Sequence, residues 1–248
     1  LKAVRSFTDG PIRILVNTHI HSDHTGANAV FSKQGALIYA QDNLRNEMLR
    51  PPMRANGRPA PAPDMAHVPV VTYNYNKATE GEPAVTFYMN GETVDFIPMM
   101  PSHTAGDTIV RFRKANVIYI EDFYRNFGYP FAEHNNGGSL QGMLDAVNLI
   151  QKLADDKTTL IPGHGTLVKK QDLLPYAAMI KDVMAKVKTM RDQGKSLKDV
   201  LAANLTAPYD GKTMGDTQQS KDRFITAAYE EVKDFPPVVD GKRSMPRR

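Results

Sequence analysis

The stretch His19-Ile20-His21-Ser22-Asp23-His24 decides the reading of this chain. Three of its seven histidines fall within six residues, with a carboxylate among them. His19 and His21 are two apart, so an extended backbone points both rings to the same side. Asp23 and His24 lie past a bend and can face a second ion. An isolated His-x-His carries little information, whereas the longer pattern is far more specific. The competing reading is that Asp23 or Thr25 simply caps a following helix.

Three further segments share the layout of this one, an apolar strand ending in a potential ligand. Ile12–Asn17 leads into His19, and Phe96–Met100 leads into His103. Val117–Ile120 leads into Asp122, and Thr159–Ile161 leads into Pro162-Gly163-His164-Gly165. Sites in α/β proteins gather beyond the carboxyl ends of strands, so these residues are placed to converge. Neutral imidazole and carboxylate suit zinc where no thiolate is present, and they also accept iron or manganese. The candidate metal ligands are therefore His19, His21, Asp23, His24, His103, Asp122 and His164. Glu121 competes with Asp122. Strand alternation lets only one of the two face the site, and Asp122 is preferred. His67 and His134 follow no strand of the set and are read as surface or loop histidines.

The wider pattern alternates strand and helix. Strands are expected at 36–40, 68–75, 84–89, 92–98, 108–113, 116–120 and 158–161. Asn90-Gly91 marks a two-residue hairpin. Helices are expected from Gly26, over 42–49 with Asp42 as cap, and over 139–153, 173–191, 197–203 and 224–232. Residues 50–64 carry five prolines and read as a surface flap, a candidate wall for the site. The order is mixed α/β with a helical C-terminal third.

Composition narrows the function. The 248 residues include no cysteine, which excludes a disulfide framework, thiolate metal sites and a cysteine nucleophile. No apolar run approaches the ~20 residues of a membrane span. The net charge is +4, and Lys242, Arg243, Arg247 and Arg248 supply that excess at the very end. The rest is neutral overall and gives no basic face for nucleic acid.

The motifs HIHSDH (19–24), SHTAGD (102–107), Asp122 and PGHG (162–165) together resemble the metallo-β-lactamase fold of zinc hydrolases, over Ile12 to Leu167. The resemblance implies a four-layer αβ/βα sandwich with a dinuclear site at one edge and two Zn²⁺ per chain. It implies that His19, His21 and His103 bind one ion, that Asp23, His24 and His164 bind the other, and that Asp122 bridges. It divides the chain into a catalytic domain over 1–170 and a helical extension over 171–248 that packs on it. A bridging Asp122 without cysteine is similar to the glyoxalase II and lactonase branches. The stretch NNGGSLQGMLDAV (135–147) is similar to members that are often exported, which favours a periplasmic over a cytoplasmic location.

Two departures stand out. Glu121 occupies a position where the family usually has Gly. Only eighteen residues precede His19, so the first strands of the sandwich are expected to be missing. Strand exchange or a homo-oligomer would then complete the N-terminal half.

The mechanism that the resemblance implies is attack of a metal-bound hydroxide on an amide or ester carbonyl of a small molecule such as a β-lactam or lactone. The positive charge left on a dizinc site suits either a carboxylate near the scissile bond or an anionic intermediate. Asp23 would orient the nucleophile. Asn126, Tyr129 and Asn136 are candidates for oxyanion stabilisation. The aromatic group Phe123, Tyr124, Phe127, Tyr129 and Phe131 is either core or pocket wall. The alternatives are a glyoxalase II-like thioesterase and a truncated, non-catalytic binding module.

Overall fold

The computed structural model describes residues 1–50, 62–211 and 215–234. Residues 51–61 of the expected flap lie outside them, as does the basic C-terminus. A short helix, α1 (Lys2–Arg5), precedes a three-stranded sheet of β1 (Ile14–Val16), β2 (Leu37–Gln41) and β3 (Val71–Tyr73). All three strands are parallel, in that order. Between β1 and β3 come α2 (Ser22–Thr25), α3 (Asn28–Ser32) and α4 (Asp42–Leu49). Both α3 and α4 pack on β2.

The second sheet has the order β4 (Val85–Met89), β5 (Glu92–Pro98), β6 (Thr108–Phe112), β7 (Val117–Glu121), β8 (Thr159–Pro162). Its first four strands are antiparallel neighbours. β8 runs parallel to β7. A parallel return needs a crossover, which α5 (Leu140–Leu153) supplies. The β4–β5 hairpin turns at Asn90 and Gly91, with φ of 53° and 75°. Positive φ at both positions is what a type I′ turn demands, and Asn-Gly meets it with little strain.

Side-chain alternation splits the second sheet between two cores. Val94, Phe96, Val110 and Phe112 turn toward the first sheet and meet Ile14, Val16, Tyr39 and Tyr73. Ile97, Ile109, Ile118, Ile120 and Leu160 turn the other way, onto the helices. There α5 contributes Leu140, Met143, Val147 and Ile150. Three more helices complete this layer: α6 (Leu173–Asp192), α7 (Leu197–Ala202) and α8 (Gln218–Asp234). The order is helix, sheet, sheet, helix, the four-layer αβ/βα sandwich that the motifs imply. Residues of α6 and α8 share one core with β5–β8 and α5.

Three local expectations need correction. The helix expected from Gly26 is the short α3, which starts only at Asn28, and a separate short helix, α2, precedes it. Asp42 is the first residue of α4 rather than its cap, and its carboxylate accepts a hydrogen bond from Asn74 instead (2.8 Å). The last helix begins at Gln218, six residues before Phe224, because its first turns are polar and show no apolar period.

Glu231 couples α8 to the rest. Its buried carboxylate accepts hydrogen bonds from Leu140 N (2.6 Å), Gln141 N (2.8 Å) and Ser139 Oγ (2.7 Å) at the start of α5. Helix N-terminal amides are otherwise without partners, and an anion is favoured there. Glu231→Ala strands these donors in the interior. We expect it to lower the unfolding free energy by about 3 kcal/mol. Urea denaturation followed by circular dichroism measures this, and a loss near zero would mean that α8 is not anchored through this carboxylate.

Candidate metal centre

Each candidate ligand follows the end of a strand, and hydrogen bonds fix the connecting loops. After β1, Asn17 and Asn28 exchange side-chain amide bonds (2.9 and 2.7 Å), and Asn17 also donates to His24 O. This holds the turn that carries His19, His21, Asp23 and His24. Thr25 donates its hydroxyl back to His21 O and caps nothing. The His103 loop closes on Asp107, which accepts from Ser102 Oγ (2.6 Å), Thr104 N and Thr104 Oγ1. Asp107 is wholly buried, and burial pushes its carboxyl up to about 6. Gly138 packs against the same loop, where a Cβ would lie 2.2 Å from His103 O. At β8, a Cβ on Gly163 would lie 1.9 Å from Asp122 Oδ1, so only glycine lets His164 approach.

The loops bring the seven candidate ligands into two adjoining groups. In the first, potential ligand atoms of His19, His21, His103 and Asp122 all lie within 4.8 Å of one another. His103 Nε2 is 3.1 Å from His21 Nδ1 and 3.7 Å from Asp122 Oδ2, and His19 Nε2 is 3.8 Å from the same oxygen. In the second, Asp23, His24 and His164 converge within the same limit. His164 Nε2 is 3.0 Å from Asp23 Oδ2 and 3.3 Å from Asp122 Oδ2. His24 Nε2 is 3.8 Å from Asp122 Oδ1. Asp122 therefore faces both groups. The first is buried apart from His21, while His164 and Asp23 stand at the mouth.

The donor set suits a metal. His19 Nε2 and Asp122 Oδ1 are buried with no hydrogen-bond partner. Leaving such acceptors unpaired costs about 1–3 kcal/mol each, and a cation between them removes that cost. Burial, reinforced by the neighbouring imidazoles, holds His19 far below the usual histidine range. Burial does the same to His103 and lowers His24. These rings are neutral, with a lone pair to give. In His103 and in His21 the second nitrogen is occupied. His103 Nδ1 donates to Phe131 O (2.6 Å), which leaves Nε2 for the metal. His21 Nε2 meets Glu133 Oε2 (2.6 Å), which leaves Nδ1. Burial lowers the pKa of His21, but Glu133 outweighs it and the net shift is upward. Carboxylates and carbonyls behind metal-binding imidazoles fix their tautomer and aim in this way.

Alternation misjudged Glu121. Glu121 and Asp122 both reach His19, the first at Nδ1 (3.4 Å) and the second at Nε2. The reason is local: β7 has an irregular register between Tyr119 and Glu121, and Glu121 has φ of 49°. That left-handed backbone costs a non-glycine residue about 1–2 kcal/mol, which explains the usual glycine there. Glu121 is fully buried, and burial raises its pKa well above the carboxylate range, with Asp107 and Asp122 adding to the shift.

The structure does not bring the oxyanion candidates together. Tyr129 is buried, with its hydroxyl on Asp210 Oδ1 (2.5 Å) and its ring stacked on Phe224 of α8. It holds the C-terminal helices and faces away from the ligands. Asn126 is locked to Thr166, accepting from its N–H (2.9 Å) and donating to its Oγ1 (2.8 Å), so it braces the His164 loop. Asn136 donates to Glu133 (2.7 Å). The aromatic group divides: Phe123, Tyr124 and Tyr129 are core, Phe127 is exposed, and Phe131 lies 5.7 Å from the His21 ring, stacked. His134 is no surface histidine, for Glu230 and Glu231 hold its two nitrogens. Sequence reasoning missed Glu133, whose only signal was its place beside His134. It also missed Arg125, 3.1 Å from Asp122 Oδ2.

A four-layer αβ/βα sandwich with histidine–aspartate clusters beyond its strand ends defines a metal-binding, hydrolase-type fold. A sequence model of the metallo-beta-lactamase superfamily matches residues 2–164, and the chain belongs to that superfamily. No curated protein matches the chain. Among solved structures, it is similar to a metallo-beta-lactamase from Pontibacter korlensis (TM-score 0.55, 16% identity, covering 73% of this chain and 75% of that one). It is also similar to the BLEG-1 B3 metallo-beta-lactamase (0.54, 18%, 72% and 83%). The stereoselective inverting sec-alkylsulfatase Pisa1 from Pseudomonas sp. aligns with TM-score 0.64 and 15% identity, over 92% of this chain and 42% of that one. At these identities the likeness is one of fold.

Glu133→Ala should leave the fold intact while releasing His21. We expect metal affinity to fall about 10–100-fold, as measured by competition against a chromophoric chelator. Unchanged affinity would show that His21 needs no support from Glu133.

Proposed function

We propose that this chain is a dinuclear metallohydrolase that cleaves an ester or amide carbonyl, cyclic ones included, in a small molecule. The observation that carries the reading is Asp122, a buried carboxylate whose two oxygens face two ligand groups. His19, His21 and His103 would hold one ion, and Asp23, His24 and His164 the other. Zinc fits this nitrogen and oxygen set, and iron or manganese fit it as well. Bound divalent ions would lower the pKa of a coordinated water to about 7 and polarise the carbonyl.

The chain's own groups do the remaining work. Asp23 is half exposed at the mouth, 3.0 Å from His164 Nε2. From there it can orient the attacking water and hold its proton at Oδ2. Arg125 donates to Asp122 Oδ2 (3.1 Å) and keeps that carboxylate aimed inward. Phe131 supplies an apolar wall beside His21 and His103.

Nitrocefin and a γ-lactone are suitable first substrates. Chelation should abolish turnover, and added zinc should restore it. Asp23→Ala should lower kcat/KM about 10²-fold or more, with its thermal midpoint kept. A rate unchanged by both treatments would contradict the proposal.

A further inference from the structure

A cavity of about 730 Å³ opens between α8 and the segment that follows Tyr129. Its charged and aromatic lining includes Phe131, Glu133, His134, Asp222, Arg223 and Glu230. It adjoins the ligand groups directly, because Phe131 touches His21 and His103 and Glu133 holds His21.

Its charges are not equally matched. Glu133 is bound by His21 and Asn136. Asp222 accepts from Gln218 Nε2 (2.7 Å), and Glu230 meets His134. Arg223 is the exception. Its guanidinium lies 3.6 Å from the centroid of the Phe131 ring. Its Nε is buried without a partner. It makes no hydrogen bond or ion pair among the described residues. Burial lowers its pKa, and nearby Arg125 lowers it further. Arg125 sits 6.0 Å from the same ring and also has a buried, unpartnered Nε. Two cations are thus brought close together; Asp122 pairs with Arg125, and only the more distant charge of Glu133 offsets Arg223, which is costly in a half-buried place.

A guanidinium lying on an aromatic face keeps its edge free, and that edge is a planar fork for a carboxylate. We propose that Arg223 binds a carboxylate of the substrate in this cavity, so that the scissile carbonyl lies past Phe131 at the His21 and His103 edge of the metal centre. This rests on the hydrolase reading and deepens it by naming the substrate class, a carboxylate-bearing ester, lactone or amide. Arg223 is then a specificity residue contributed by α8, beyond the segment that the superfamily match covers.

The test compares two length-matched esters on the metal-loaded chain, mono(4-nitrophenyl) adipate and 4-nitrophenyl hexanoate. The native chain should prefer the adipate ester in kcat/KM by about tenfold or more. Arg223→Gln should bring that ratio to near unity. Arg223→Lys keeps the charge without the fork and should fall between the two; it also serves if Arg223→Gln folds poorly. Lys188→Gln removes a charge from the exposed face of α6 and should leave the ratio at the native value. A purely structural role for Arg223 would lower both rates alike and keep the ratio. A native ratio near unity, or one unmoved in Arg223→Gln, overturns the inference. If the native chain cleaves neither ester, the hydrolase reading fails on these esters, and calorimetric binding of free adipate decides. Binding that weakens about tenfold in Arg223→Gln supports the carboxylate site, and absent or equal binding overturns it.

Discussion

Asp122 is the constraint around which the site is built. A carboxylate buried at the end of β7 has no water to stabilise it, and burying such a charge unpaired is prohibitively expensive. The fold surrounds it with Arg125 and with imidazoles from three different strand ends. Gly163 leaves room for its Oδ1. The irregular register of β7 and the left-handed turn at Glu121 set its direction. Without a cation, the arrangement leaves buried acceptors facing one another. That makes sense for a centre shaped to hold metal and makes little sense as a packing solution.

Rigidity reaches this centre from both sheets. Thr108 N donates to Thr18 O (2.8 Å) and so ties β6 to the loop before His19. Gln41 Nε2 donates to Met99 O (3.0 Å), which links β2 to the strand end before His103. The helical layer contributes as well. Through Glu231 and Tyr129, α8 grips the segment that presents Phe131 and Glu133 to the histidines. The C-terminal helices are therefore part of the site's support, although no proposed ligand comes from them. A centre held from so many directions is preorganised, which is what metal affinity and catalysis both reward.

The convergence of the candidate ligands was legible because each stands just after a short apolar strand, a pattern visible without any three-dimensional knowledge. The hairpin at Asn90-Gly91 and the amphipathic α5 were legible for the same local reason. Glu133 was not, since it lies 112 residues from His21 and follows no strand. Glu121 misled because alternation assumes a regular strand, and β7 is irregular at that point. Tyr129 misled because a tyrosine after a strand end can turn either to the site or to the core. Its partner Asp210 lies 81 residues away, so no local signal could have decided. Arg223 was invisible for a related reason, since a helical arginine usually faces solvent.

Metal content tests the central claim most directly. Elemental analysis of the native chain, purified without added metal, should find about two divalent ions per chain, the number that the proposed dinuclear centre requires. Less than half an ion per chain, unchanged after incubation with zinc, would contradict the account, because the buried imidazoles and Asp122 would then have to be explained without a metal.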